Sequence, residues 1–325
     1  MRSSLIVLFL FASALCCVAQ TPADPQYEGS IGPLYYSGGY VLEWDSPEYT
    51  HVTVYGLDAK PIFSNPLRVP EDWRYTVWAI DSDGVAARAA EPYKGSNFIA
   101  KSAHIDLLDA TGKILNTIKT GSYEPQHIVF APDHSFWTVG VDGDYSQTDV
   151  EFDVLRHYSR NGEELGHGLP WSQIAGDFNA RNALQLCLGA ELLYMGTDRI
   201  GFQARLKYDQ ATWVEVGTAG NLLGTYDLGR FRELDYYPSA MTARGSVYAR
   251  IYKYDKPDGW AVLDRSTKTW RKVKGYPKGV IIGADGENLI FSEHDTAWTV
   301  LHSVPTASLH LEPLTQQTAM AAAQE

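Results

Sequence analysis

Between residues 30 and 305, apolar positions alternate with polar ones in short runs rich in Val, Ile, Tyr, Trp and Thr, bounded by Gly, Asp, Asn and Pro. A period of two sends successive side chains to opposite faces of a strand, whereas a helix repeats its apolar positions every three to four residues. Helical spacing is nearly absent, so the pattern predicts an all-β chain of many short strands.

Two kinds of turn recur between these strands. In one, Ile105-Asp106-Leu107-Leu108 runs into Asp109-Ala110-Thr111-Gly112-Lys113 and out through Ile114-Leu115; Val154-Leu155-Arg156-His157-Tyr158 runs into Ser159-Arg160-Asn161-Gly162-Glu163 in the same way. Looser copies centre on Ala59, Gly220 and Thr267, so the centres lie 53, 50, 58 and 47 residues apart. The second kind falls between them, at Ser37-Gly38-Gly39, Asp81-Ser82-Asp83-Gly84, Ala131-Pro132-Asp133-His134-Ser135, Gly189-Ala190-Glu191, Ala243-Arg244-Gly245-Ser246 and Ala284-Asp285-Gly286-Glu287. Strict alternation of the two gives units of about 40 to 55 residues, each with room for four strands. A repeated four-stranded unit is the blade of a β-propeller, in which radial packing protects the sheet edges. The count predicts a six-bladed β-propeller of four-stranded antiparallel blades over residues 20–305, with five or seven blades left open. The last unit, 283–301, lacks a fourth strand, and the segment 27–36 is placed to supply it by pairing beside the C-terminal strands. Longer links at 145–152 and 168–182 are expected on a face of the ring. The tail 306–325 is expected to be frayed or loosely helical.

Residues 1–19 carry one positive charge, Arg2, and an apolar run from Leu5 to Leu15 that is too short to span a bilayer. They read as a signal peptide cleaved before Gln20, which makes the chain exported, to a periplasm or the extracellular space. A lipid anchor on Cys16 or Cys17 is the alternative, although Leu15 or Cys16 stands where a small residue is expected. No later stretch approaches eighteen consecutive apolar residues, so no transmembrane segment is expected beyond the leader. Only Cys187 survives cleavage, which removes any intramolecular disulfide; between Leu186 and Leu188 it reads as a buried thiol. The formal charge of −12 disfavours nucleic acid and anionic lipid as partners.

The segment Glu124-Pro125-Gln126-His127-Ile128-Val129-Phe130-Ala131-Pro132-Asp133, followed by Phe136-Trp137 and preceded by the Asp109 to Lys113 hairpin, resembles blades of the six-bladed NHL and TolB-like propellers. It is also similar to a blade of the streptogramin lyases, whose motif is proline-histidine-glycine-isoleucine. In that frame Gln126 occupies the histidine position and His127 the glycine position, so the reactive histidine of the lyases has no direct equivalent. The likeness covers about 60 residues and implies a fold rather than an activity.

Candidate chemistry is sparse. His127 follows a proline at the start of an expected inner strand, where it would line the central channel as a general base or ligand, or simply be hydrogen-bonded near the top of a blade. Asp142, Asp144 and Asp149, with Glu151 and Asp153, form an oxygen-rich stretch that reads either as a solvated acidic loop or as a loop-bound Ca²⁺ site. It fails the EF-hand pattern because Gln147 stands where the sharp-turn glycine belongs. Glu293-His294-Asp295 with His302 could pair carboxylate and imidazole, but reads more simply as a hairpin turn. Trp73 and Trp171 lie in loop-like segments and are the candidates for surface recognition. The chain has no Gly-x-Ser-x-Gly elbow, phosphate loop, His-Glu-x-x-His or Cys-x-x-Cys.

These features point to an exported propeller acting as a binding or interaction scaffold through a loop face or the channel mouth, toward a protein, peptide or carbohydrate. A metal-dependent lactonase- or lyase-like enzyme is the alternative, and carbohydrate binding through exposed aromatics a third. The sequence leaves open whether the chain catalyses anything.

Overall fold

The computed structural model describes residues 26–28, 34–44, 51–66, 73–92, 103–142, 151–174, 193–207, 210–230, 234–294 and 298–312. The expected leader, Cys187, Asp144 and Asp149 lie outside them. Strand β1 (Gln26–Glu28) pairs with a distant part of the chain. The sheets then follow in chain order: β2 (Leu34–Ser37), β3 (Tyr40–Trp44), β4 (His51–Tyr55) and β5 (Pro61–Pro66) form the first. The second holds β6 (Trp73–Ile80), β7 (Ala86–Pro92), β8 (Ala103–Leu108) and β9 (Ile114–Gly121). The third holds β10 (Tyr123–Phe130), β11 (Phe136–Asp142), β12 (Asp153–Tyr158) and β13 (Glu164–Pro170). Next come β14 (Leu193–Met195), β15 (Arg199–Lys207), β16 (Gln210–Gly217), β17 (Leu222–Arg230), β18 (Leu234–Met241), β19 (Val247–Lys253), β20 (Lys256–Asp264) and β21 (Thr269–Lys274) in one nine-stranded sheet. The last sheet runs β22 (Val280–Asp285), β23 (Asn288–His294), β24 (Trp298–Pro305), with β1 on its outer edge, and β25 (His310–Leu311) closes the nine-stranded sheet beside β21.

Every neighbouring pair is antiparallel, as the alternating pattern implies. Turn spacing leads to six separate blades, whereas strand pairing gives four four-stranded sheets and one of nine. The cause is local. β17 pairs with β18 through Gly229↔Asp235 and Arg230↔Leu234, two residue pairs that fuse otherwise independent meanders.

The first strands β6, β10, β14, β18, β22 and β2 pack one against the next. Ser37 completes the circle: its hydroxyl donates to the Ile80 carbonyl at 3.0 Å and accepts the Ile80 N–H at 3.2 Å. Antiparallel sheets circling an axis in this way make a propeller arrangement. Apolar clusters fill the seams between successive groups, such as Trp44 and Val52 with Trp78, Phe136 and Tyr158 with Ile105, Val139 and Leu155 with Phe202, and Trp260 with Phe291. Each such side chain taken out of water stabilises the fold by about 1.5–3 kcal/mol.

Most of the described turns of both kinds share one geometry, the exceptions being those at Ser37–Gly39, Thr267 and Asp285–Asn288. At 56–60, 81–85, 109–113, 131–135, 159–163, 217–221 and 242–246, the first N–H bonds the fifth carbonyl and the fourth N–H bonds the first carbonyl. The fourth residue must take positive φ, which suits glycine. It is Gly84, Gly112, Gly162, Gly220 and Gly245 in five of these turns, Ala59 in one and His134 (φ 67°) in the remaining one. These turns all lie at one end of the ring, because each joins a first to a second strand or a third to a fourth. The ends of β11 and β13 and the starts of β12 and β14 lie at the other end.

The N-terminal clasp forms through Gln26↔Val300, Tyr27↔Thr299 and Glu28↔Trp298. Of the segment 27–36, the part that pairs there ends at Glu28, while β2 belongs to the first sheet. The start of the expected frayed tail is held: Thr306–Ser308 makes a 3-10 turn, and β25 pairs with Val273 and Lys274. No helix among the described residues is long and apolar enough to cross a membrane.

Candidate functional site at the axial cavity

The first strands converge at the end of the ring that carries the five-residue turns, where they line an open cavity of about 250 Å³. Tyr36, Ile80, Val129, Leu193, Met241 and Gly283 contribute one wall each, from six different strands. The lining mixes apolar side chains with Ser37, Asp81, Ser82 and Thr197. It can therefore desolvate an apolar group while offering hydrogen-bond partners at its edge. The strands approach closely here. Gly38 has φ +57°, and a Cβ on it would lie 2.4 Å from the Ile80 carbonyl oxygen.

Beside the cavity, the β6–β7 turn supplies Asp81 and Asp83, and the β10–β11 turn supplies His134. Asp81 is 3% exposed and accepts the Ser82 N–H at 2.6 Å, while its other oxygen lies 2.7 Å from His134 Nδ1. Asp83 pairs with Arg160 from the β12–β13 turn. Burial alone would raise the Asp83 carboxyl, but the Val85 N–H and the Arg160 guanidinium together hold it below the usual carboxylate range.

A serine and a histidine also meet nearby. Ser135 Oγ lies 2.5 Å from Asp133 Oδ1 and 2.7 Å from His157 Nε2. The single hydroxyl hydrogen is committed to the carboxylate, so His157 must donate to Ser135 from Nε2 and cannot act as its base. This is a structural relay rather than a nucleophile. The His157 ring stacks on Trp137, with centroids 4.1 Å apart and planes 4° from parallel. Burial lowers its pKa and Asp133 opposes that shift only partly. The folded state therefore binds a proton less readily than the unfolded chain. Stability that is fully present above the ordinary histidine pKa of 6.5 is lost as pH falls from that value through the lower folded pKa. Thermal melts between about pH 7 and pH 5 should show this decline, and His157→Gln should flatten it. An equally steep decline in the variant would assign the proton uptake to another group.

The residues singled out in the sequence do not assemble into one site. His127 sits on β10 and is buried, but it is outside the cavity lining. It pairs with Val139 across a bulge at Gln126, so the two share a face of the sheet, and Val139 belongs to the seam facing the next sheet. Trp171, expected as a surface platform, is 9% exposed and stacks on Phe152 at 5.8 Å, because the 3-10 turn Trp171–Gln173 folds the indole inward. Trp73 opens β6 and Asp142 ends β11, both at the end of the ring away from the cavity. Glu293 and His294 are strand residues on β23 rather than a turn, with His302 Nε2 3.3 Å from Glu293 and His294 Nδ1 3.1 Å from the Thr299 hydroxyl. The Asp81, Asp83 and His134 grouping went unnoticed in the sequence. Its one linear signal is a histidine where sister turns carry glycine.

No family model matches this chain, and no curated protein matches it. Among solved structures it is similar to a protein of unknown function from Bacteroides caccae, with TM-score 0.44 and 11% identity over 79% of this chain and 81% of that one. It is also similar to the Dos1 propeller, with TM-score 0.37 and 11% identity over 86% and 70% of the two chains. A puromycin-hydrolyzing peptidase of Mycobacterium tuberculosis gives TM-score 0.42 and 13% identity over 84% of this chain and 43% of the other.

Proposed function

We propose that this chain is an exported six-bladed β-propeller that serves as a binding scaffold, taking an apolar group of its ligand into the axial cavity. The six-blade reading counts the nine-stranded sheet as two blades, β14 to β17 and β18 to β21. It is supported by the six first strands that surround the axis. The likeness of residues 105–165 to NHL and TolB-like blades belongs to the same reading, as does export through residues 1–19.

The observation that carries the function is the cavity itself. Six strand ends meet around about 250 Å³ of space lined by both apolar and polar groups. A void of that size takes a side chain, a short peptide terminus or a small ring. The test is a thermal-shift screen of peptides and small molecules against the purified chain, repeated with Met195→Trp, which adds bulk to one cavity wall. Ligands that raise the melting temperature of the wild type should lose that effect in the variant. Equal protection of both proteins would place binding elsewhere and overturn the reading. A reporter fused behind residues 1–19 that stays in the cytoplasm would remove the exported part of it.

A further inference from the structure

We propose that Asp81, Asp83 and His134 form a binding site for a first-row divalent cation of the Zn²⁺ or Mn²⁺ kind, at the rim of the axial cavity. One donor atom from each residue lies within 4.8 Å of the other two. Two carboxylate oxygens with one imidazole nitrogen suit a borderline first-row cation, whereas Ca²⁺ and Mg²⁺ are bound through oxygen. The donors come from turns of two neighbouring sheets, so the cation would bridge them. Asp81 and Ser82 also line the cavity, which gives the ion a route in and leaves its remaining coordination positions open to water or a ligand.

Charge is the second, independent reason. Asp81 is almost wholly buried, and a buried carboxylate is costly unless a positive charge faces it. Its partners are the Ser82 N–H and hydroxyl and the His134 imidazole, none of which carries a fixed positive charge. The guanidinium nearby, Arg160, is directed at Asp83. Among the described residues two carboxylates thus share one permanent cation, and a divalent ion beside His134 Nδ1 supplies further positive charge. The site stands whether or not the cavity takes a ligand.

His134 also makes a clean variant available. Five of the six sister turns place glycine at its position with positive φ, so His134→Gly removes the nitrogen donor and relieves the backbone, at the cost of the hydrogen bond to Asp81. The full chain, stripped with a chelator and dialysed, should be titrated calorimetrically with Zn²⁺, Mn²⁺ and Ca²⁺ and melted with and without each ion. Expected are one first-row ion per chain and a raised melting temperature in its presence. Asp81→Asn and His134→Gly should each weaken binding at least tenfold, while ion-free His134→Gly still unfolds in a cooperative transition. Absence of stoichiometric binding, wild-type affinity in His134→Gly, or a preference for Ca²⁺ would each overturn the proposal. So would loss of binding on Asp142→Asn or Asp149→Asn instead, which would move the ion to the acidic stretch.

Discussion

Replacing Glu215 by alanine should lower the stability of the chain by about 3–5 kcal/mol, a shift of roughly ten degrees in melting temperature. Glu215 has no exposed surface and gathers three partners. Arg265 donates to both of its oxygens at 2.7 and 2.6 Å, Arg199 donates at 3.3 Å, and the Trp213 indole N–H donates at 3.0 Å. Arg265 follows β20 while Glu215 lies on β16, so the contact joins the two meanders of the nine-stranded sheet, which β17 and β18 hold together through only two residue pairs. Truncation leaves two guanidinium groups facing each other and orphans a buried indole N–H, a group that costs about 1–3 kcal/mol when unpaired. Arg199→Ala should cost much less, because Arg265 still faces the carboxylate and Arg199 is partly exposed. Denaturant melts of both variants decide the matter. A loss below about 1 kcal/mol for Glu215→Ala would mean that the seam holds without this network.

The second large effect is expected at Gly38, and its neighbour provides the comparison. Both glycines have positive φ, +57° and +91°, so alanine is disfavoured by backbone conformation at either site. Only at Gly38 does the added Cβ also collide, with the Ile80 oxygen at 2.4 Å and the Asp81 carbonyl carbon at 2.6 Å; at Gly39 nothing lies within 4 Å. Gly38→Ala should therefore cost roughly 2–5 kcal/mol, the sum of backbone strain and overpacking, against about 1–2 kcal/mol for Gly39→Ala. The same collision pushes β2 away from β6, so ligand protection in the cavity should fall with it. Equal melting temperatures for the two variants would show that the strands part at no cost.

Strand existence was legible because alternation and turn glycines are local signals, readable within ten residues. The turns at Asp109 and at Ala131 looked like two classes because their residues differ, yet they share one hydrogen-bond pattern. A positive φ at the fourth position can be met by Gly112 or, less comfortably, by His134. What escaped the sequence depends on contacts between distant segments. The two strand pairs at Gly229 and Arg230 that merge two meanders leave no periodic trace. His127 was expected in the channel, but the extra residue Gln126 resets the register and turns the imidazole toward a seam. Trp171 follows a proline in a polar stretch that reads as surface, and only the inward 3-10 turn shows otherwise. Asp81 and His134 are 53 residues apart and meet because successive sheets bring their turns side by side.

The pairing of β1 with β24 has a bearing on how the molecule is made. Residues 26–28 and 298–300 lie far apart in sequence, so β1 leaves the ribosome long before its partner and waits for β24 to be made. Until then β1 is an unpaired strand, and the nascent protein remains vulnerable to intermolecular pairing along it. A rearranged gene that encodes β1 soon after β24 would turn that late encounter into a more local one and shorten the vulnerable interval.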